Sequence, residues 1–192
     1  MYSSGGKTDR QYGENLMYIR GDHLQRYFFA ANRIRQRKVL DLACGCGYGS
    51  WILHGAGNEV TGVDIEAEAI AYAKRYYQGP TYLCQAGEET KGEFDALVTF
   101  ETLEHLANPQ AVLSVQAPLV IASVPNEERY PFDAKTFQGD KYPHLRHYTP
   151  KEFEDLLESA GFKVRERFCQ PTKNGEIQEG TDGLFLIYVA NR

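Results

Sequence analysis

The stretch "VLDLACGCGYGS", residues 39–50, decides how the rest of the chain is read. Val39, Leu40, Leu42 and Ala43 form a short apolar run with Asp41 set inside it, the pattern of a buried strand. Gly45, Gly47 and Gly49 then fall at alternate positions. Glycines so spaced let the backbone turn tightly and pass close to another group. "GYGSWILHGAG", residues 47–57, reads as an apolar helix closed by glycine. A strand that turns through glycines straight into a helix leaves unpaired helix N–H groups at the strand end, a place suited to a polar ligand.

The alternation continues in both directions. Residues 59–65, 80–86, 93–100 and 118–125 read as strands, and 66–78, 109–117 and 149–161 as helices. The last of these helices has Thr149 as cap, Pro150 at its first position and Gly161 at its end. Residues 162–169 and 183–190 read as two closing strands. Upstream, residues 21–37 form a helical pattern with Asp22 as cap and Leu24, Tyr27, Phe28, Ala31 and Ile34 at helical spacing. Strands alternating with helices predict a parallel sheet covered on both faces. Residues 1–16 are polar and are expected to be loose or ordered only by contact with the body. Residues 123–149 form a long polar and aromatic connection, and loops of that length in compact domains usually carry function.

At 192 residues and 42% apolar content the chain suits one domain with a substantial core. Its net charge of -5 speaks against non-specific nucleic-acid binding. The one dense basic cluster, Arg33, Arg35, Arg37 and Lys38, reads as a solvated helix end. Four cysteines, Cys44, Cys46, Cys84 and Cys169, show neither paired zinc spacing nor a disulfide framework. Without a leader or an apolar run long enough to span a membrane, a cytoplasmic, reduced setting is the default expectation.

A second acid, Asp64, ends the next strand in "VTGVDIE". An acid there can accept both hydroxyls of a ribose. The glycine spacing differs from that of dinucleotide sites. Together with "AGEE" after the third strand and "FDALVTFETLEHL" at the fourth, the chain from Lys38 onward resembles class I S-adenosylmethionine-dependent methyltransferases. The resemblance implies a single α/β domain with a Rossmann-like, doubly wound seven-stranded sheet in the order 3-2-1-4-5-7-6, strand 7 antiparallel. It divides the chain into a cap segment and helix over residues 1–36 and the methyltransferase domain over 37–192. It places Asp41, Gly45 and Gly47 around the cofactor's methionine, Asp64 on the ribose, Ile65 against the adenine, and Ala86 and Gly87 at the adenine edge. Ala43 and Phe100 complete that set, while "QAGEE" lacks the acid usual after the third strand. Glu14, His23, Leu24, Arg26, Tyr27, Phe29 and Ala30 resemble a pattern found in a subset of these enzymes, which implies a helix covering the cofactor pocket.

In such a sheet the fourth strand ends beside the reactive methyl, so "FETLEHL" puts Glu101, Glu104 and His105 at the mouth of the site. Were the residues after Phe100 helical, Glu101 and Glu104 would share one face. "PHLRHYTP" adds His144 and His147. Carboxylates and imidazoles of this kind can hold a divalent cation, Mg2+ or Mn2+. The spacing is similar to that in ubiquinone-pathway O-methyltransferases and small-RNA terminal 2′-O-methyltransferases, which implies a metal set of Glu101, Glu104, His105 and His144. Without metal, Glu101 would orient the cofactor and His105 or His144 would act as base. His54 reads as a surface or cap residue. "FETL" stands where amino-methylating relatives carry Asp/Asn-Pro-Pro-Tyr/Phe, which favours an oxygen acceptor. The expectation is O-methylation of a small hydroxylated acceptor, a sugar or other diol, walled by residues 126–148 with Arg129, Lys141 and Arg146. Two alternatives remain: metal-dependent 2′-O-methylation of RNA 3′ ends, against which the acidic charge speaks, and a non-catalytic cofactor-binding partner protein.

Overall fold

The computed structural model describes residues 10–192, so the expectation for the first nine residues lies outside the described residues. The strands are β1 (Lys38–Leu42), β2 (Glu59–Asp64), β3 (Thr81–Cys84), β4 (Ala96–Phe100), β5 (Leu119–Pro125), β6 (Lys163–Gln170), β7 (Gln178–Glu179) and β8 (Phe185–Asn191). The helices are α1 (Gly21–Arg33), α2 (Tyr48–Gly55), α3 (Ala67–Tyr76), α4 (Pro109–Leu113) and α5 (Pro150–Ser159). They build one sheet in the order β3-β2-β1-β4-β5-β8-β6-β7. Strands β1 to β5 are mutually parallel, and β8 runs antiparallel between β5 and β6. The expected order is thus present, with one addition: the two-residue β7 pairs on the outer edge of β6 and makes eight strands rather than seven.

The apolar runs of β4 and β5 are buried on both faces, as a sheet covered by helices requires. One face packs Tyr27, Ala30 and Ile34 of the α1 region with Ile52, Leu53, Ile70 and Ala73. The other packs Leu40, Leu97 and Val120 against Leu113, Phe153 and Leu157. Helix α5 starts as its sequence requires. Thr149 Oγ1 accepts from Glu152 N while Glu152 Oε2 accepts from Thr149 N, and Pro150 opens the first turn.

Three local expectations change. Asp22 does not cap α1; Arg20 holds that position, and Asp22 is fully buried in the first turn against Arg20 and Arg26. A buried carboxylate needs cations, and two lie beside it. Helix α4 is shorter than its periodicity suggested, because residues 116 and 117 turn toward β5 and Gln116 bridges Glu93. After Phe100 there is no helix but a 3-10 turn, Leu103–His105, so Glu101 and Glu104 do not share a helical face.

Candidate active site

The sheet order reverses between β1 and β4, and the carboxyl ends of β1, β2, β4 and β5 gather at one edge. In open parallel sheets this is where ligands bind. A cavity of about 470 Å³ opens there. Of the residues singled out by sequence, Ala43, Gly45, Asp64, Ile65, Phe100, Glu101, His105 and His144 line it. Asp41, Gly47, Ala86, Gly87 and Glu104 are not among the residues that line it.

The floor is the glycine turn. Gly47 has φ 88°, and a Cβ there would lie 2.5 Å from Ala73 Cβ. A Cβ on Gly49 would strike the Tyr27 ring at 2.0 Å. Both positions therefore exclude side chains, and the turn seats against α1 and α3. Asp41 is fully buried and acts from beneath: it accepts from Ser50 Oγ at 2.6 Å and from Tyr27 Oη at 3.1 Å. Burial pushes its carboxyl up to about 7, against the two hydroxyls that hold it down. Asp64 ends β2 with both oxygens facing the turn. Oδ2 accepts from Gly45 N at 2.9 Å, and Oδ1 accepts from Glu66 N at 2.8 Å and from Arg10 Nη2 at 2.6 Å. Ile65, next in line, is 55% exposed, an apolar face left open at the rim. Cys44 and Cys46 are buried free thiols in the turn, which fits small loop residues rather than ligands.

At the end of β4, Glu101 takes φ 50°, a left-handed conformation that a non-glycine residue enters only under constraint. The constraint is visible: Glu101 N donates to Ser123 O at 3.1 Å, and Ser123 Oγ donates to Glu101 Oε1 at 2.8 Å. Arg26, itself fully buried, brings Nη1 to 3.7 Å from the same oxygen. Glu101 is thus turned toward Ser123 and Arg26.

Glu104, His105 and His144 do come together, with one potential ligand atom from each within 4.8 Å of the others. The long loop makes this possible. Leu145 N donates to Glu104 O at 2.8 Å, and Tyr148 Oη donates to Leu103 O at 3.1 Å, so residues 143–148 are pinned along the 3-10 turn. The imidazoles have defined tautomers, because a carbonyl oxygen only accepts. His147 Nδ1 donates to Tyr130 O at 2.6 Å, so in the neutral ring Nε2 accepts from His144 Nδ1 at 2.9 Å. His105 Nδ1 donates to Pro143 O at 3.2 Å. Both His105 and His144 then carry the lone pair on Nε2. Burial, followed by the neighbouring charges of His105 and His147, pulls His144 down to about 3. Phe137 stacks on the His144 ring at 4.0 Å. Of the four residues of the expected metal set, Glu101 lies outside this group and is bonded to Ser123. His54 is remote, its Nδ1 bonded to Asn58 O at 3.1 Å.

Sequence reasoning missed Arg10, Ser123, Tyr142 and the role of His147. The His144–His147 spacing offered a faint signal. For the others no periodicity or motif marks the residue.

The comparisons with known proteins agree with this geometry. A family model described as a methyltransferase domain matches residues 12–167. A ubiquinone biosynthesis O-methyltransferase of Dechloromonas aromatica is 35% identical over 92 residues, covering 44% of this chain and 40% of that protein. A Mycolicibacterium smegmatis protein named as a probable S-adenosylmethionine-dependent methyltransferase is 27% identical over 162 residues, covering 80% of this chain and 62% of that one. The chain therefore spans less than two thirds of the length of these relatives. Among solved structures, Burkholderia thailandensis 1,6-didemethyltoxoflavin-N1-methyltransferase, with bound 1,6-didemethyltoxoflavin and S-adenosylhomocysteine, superposes with a TM-score of 0.65 at 19% identity, over 90% of this chain and 78% of that one. Among the described residues no helix is long and apolar enough to cross a membrane. With the glycine turn, the acid at the end of β2 and this sheet order already in place, the chain belongs to the methyltransferase-domain family, in its class I S-adenosylmethionine-dependent branch.

Proposed function

We propose that the protein transfers the methyl group of S-adenosylmethionine to a hydroxyl oxygen of a small diol-bearing acceptor, a sugar or related metabolite. In this reading the cofactor lies over Gly45 with its ribose on Asp64 and its adenine against Ile65, and the sulfonium methyl points past Phe100. The observation that carries the acceptor side is the convergence of Glu104, His105 and His144 beside that cavity. The O-methylating role named for the Dechloromonas relative supports an oxygen acceptor.

Methyl transfer from a sulfonium needs alignment and an acceptor oxygen made electron-rich. An imidazole held near 3, as His144 is, makes a weak base toward an alcohol but a good neutral ligand. The donor set fits a divalent cation, with two Nε2 lone pairs oriented by outer hydrogen bonds and one carboxylate. Glu104, His105 and His144 would hold such an ion, and when bound it would lower the acceptor hydroxyl's pKa. The chain's own groups do the rest. His147 and Pro143 fix the two imidazole tautomers, and Phe137 and Tyr130 wall the acceptor side. Ser123 and Arg26 hold Glu101 where the reacting atoms would meet.

The test is calorimetric titration of S-adenosylhomocysteine in EDTA, then titration of Mg2+ or Mn2+. Cofactor-product binding in EDTA, followed by a metal event lost in Glu104→Ala and His144→Ala, is expected. Cofactor-product binding with no metal event would remove the cation and return His105 or His144 to the role of base.

A further inference from the structure

One residue at the cofactor end of the cavity has no part in this chemistry. Arg10 runs across the glycine turn, with Cγ 4.0 Å from where a Cβ on Gly45 would sit. Its guanidinium pairs with Asp64 at 2.6 Å, with 17% of the Arg10 side chain and 2% of the Asp64 side chain exposed. A carboxylate offers about four lone-pair positions. On Asp64 three are taken, by Arg10, Glu66 N and Gly45 N. A ribose diol needs two. The backbone donors belong to the turn and to the start of α3; Arg10 is the partner able to leave.

The segment that carries Arg10 is anchored on both sides. Tyr77 Oη donates to Gly13 O, and Tyr12 packs its ring edge against Tyr72 at 5.1 Å, which ties residues 12 and 13 to α3. On the other side the Arg10 guanidinium lies 4.7 Å over the Tyr142 ring. Tyr142 Oη in turn donates to Glu66 at 3.2 Å, and Lys141 pairs with the same carboxylate. The N-terminal segment and the acceptor loop therefore meet directly over Asp64.

We propose that Arg10 sets cofactor affinity by holding the ribose's place on Asp64, so that cofactor binding displaces it and releases its hold on Tyr142. The inference rests on the assignment of Asp64 to the ribose. It makes cofactor and acceptor binding interdependent: an occupied ribose site loosens the loop that carries His144.

The experiment compares S-adenosylhomocysteine binding to the wild type, Arg10→Ala, Arg10→Lys, Asp64→Ala and the Arg10→Ala/Asp64→Ala double variant. Equilibrium comes from calorimetry and association rates from fluorescence of Trp51, the single tryptophan, whose ring lies 6.1 Å from Tyr77. Arg10→Ala is expected to bind about tenfold tighter through faster association, as for a site open about a tenth of the time, with Arg10→Lys in between. No gain is expected in the Asp64→Ala background. Weaker or unchanged binding by Arg10→Ala would overturn the proposal and make Arg10 a cofactor contact or a bystander. Binding by none of the five proteins would overturn the cofactor assignment itself, and the proposal with it.

Discussion

The two halves of the cavity are built by different means. The half over β1 and β2 is set by backbone: Gly45 N bonds Asp64, a Cβ on Gly47 would strike Ala73, and Ala43, just before them, takes φ 60°. The half over β4 and β5 is set by side chains from distant segments, where the 3-10 turn Leu103–His105 meets residues 143–148 through a relay of imidazoles. Backbone-built geometry demands particular residue types at fixed spacing. Side-chain-built geometry depends on the path of a loop, which many sequences can trace. The first half suits a ligand that never varies, the second a ligand that differs from one enzyme to the next.

If the halves are separable, damage to one should spare the other. The largest expected effect is on Asp64→Ala. On the proposed assignment it removes the acceptor of both ribose hydroxyls, each charge-assisted bond worth about 1.5–3 kcal/mol. S-adenosylhomocysteine affinity should fall by roughly 3 kcal/mol or more, about 150-fold. Metal affinity at Glu104, His105 and His144 should change far less, by a few-fold at most, the change passing only through the contact of Arg10 with Tyr142. Calorimetry on one preparation reads both quantities. A parallel loss of metal binding would mean that the division is false and that the whole edge is one unit.

The same division decides what could be read from sequence. "VLDLACGCGYGS" and "VTGVDIE" carried the cofactor half because a glycine that cannot bear a Cβ and an acid at a strand end announce themselves locally. Asp41 was legible as important but not as buried support, since its partner Tyr27 comes from α1, outside the motif. In the acceptor half, the residue types in "ETLEH" and "PHLRH" were visible; the fold brings Glu104, His105 and His144 together and leaves Glu101 outside that group. The path after Phe100 was not legible: it is a 3-10 turn rather than a helix. Ser123 on the neighbouring strand instead holds Glu101 at positive φ, a tertiary contact that no spacing encodes. Arg10 left no trace at all, because its partner Asp64 is 54 residues away.

Each half also contains a partly buried imidazole kept neutral, and acid should separate them. Burial, then Arg26 and Arg20, pull His23 down to about 2, its Nδ1 lying 3.0 Å from Tyr48 Oη. Burial, then His105 and His147, pull His144 down to about 3. In the unfolded chain both titrate near 6.5. Between about pH 6.5 and those lowered values the unfolded state takes up protons that the folded state refuses. Stability is therefore full above about pH 6.5 and falls on acidification, by at most about 1.4 kcal/mol per pH unit for each group. His23 is the deeper of the two, so His23→Gln should flatten the dependence of melting temperature on pH more than His144→Gln, whose ring is partly open to solvent. Equal flattening would show the acceptor half to be as closed as the cofactor half.

The smallest expected effect lies at the far end of the acceptor loop. Thr149 caps α5 one residue after Tyr148, whose hydroxyl holds Leu103 O and whose N–H donates to Pro125 O at 3.1 Å. Thr149→Ala removes the side-chain acceptor for Glu152 N, a loss of about 1 kcal/mol, or roughly 2–4 °C in melting temperature for a domain of this size. The frayed first turn would slacken the chain that brings His144 to His105. Metal affinity should fall by a few-fold at most, with S-adenosylhomocysteine affinity in EDTA unchanged. A drop in stability with both affinities intact would show that the loop is held by Tyr148 and Leu145 without help from the cap. A drop in cofactor affinity would mean that strain passes from the acceptor wall to Asp64, and the contact between Tyr142 and Arg10 is the path by which it would travel.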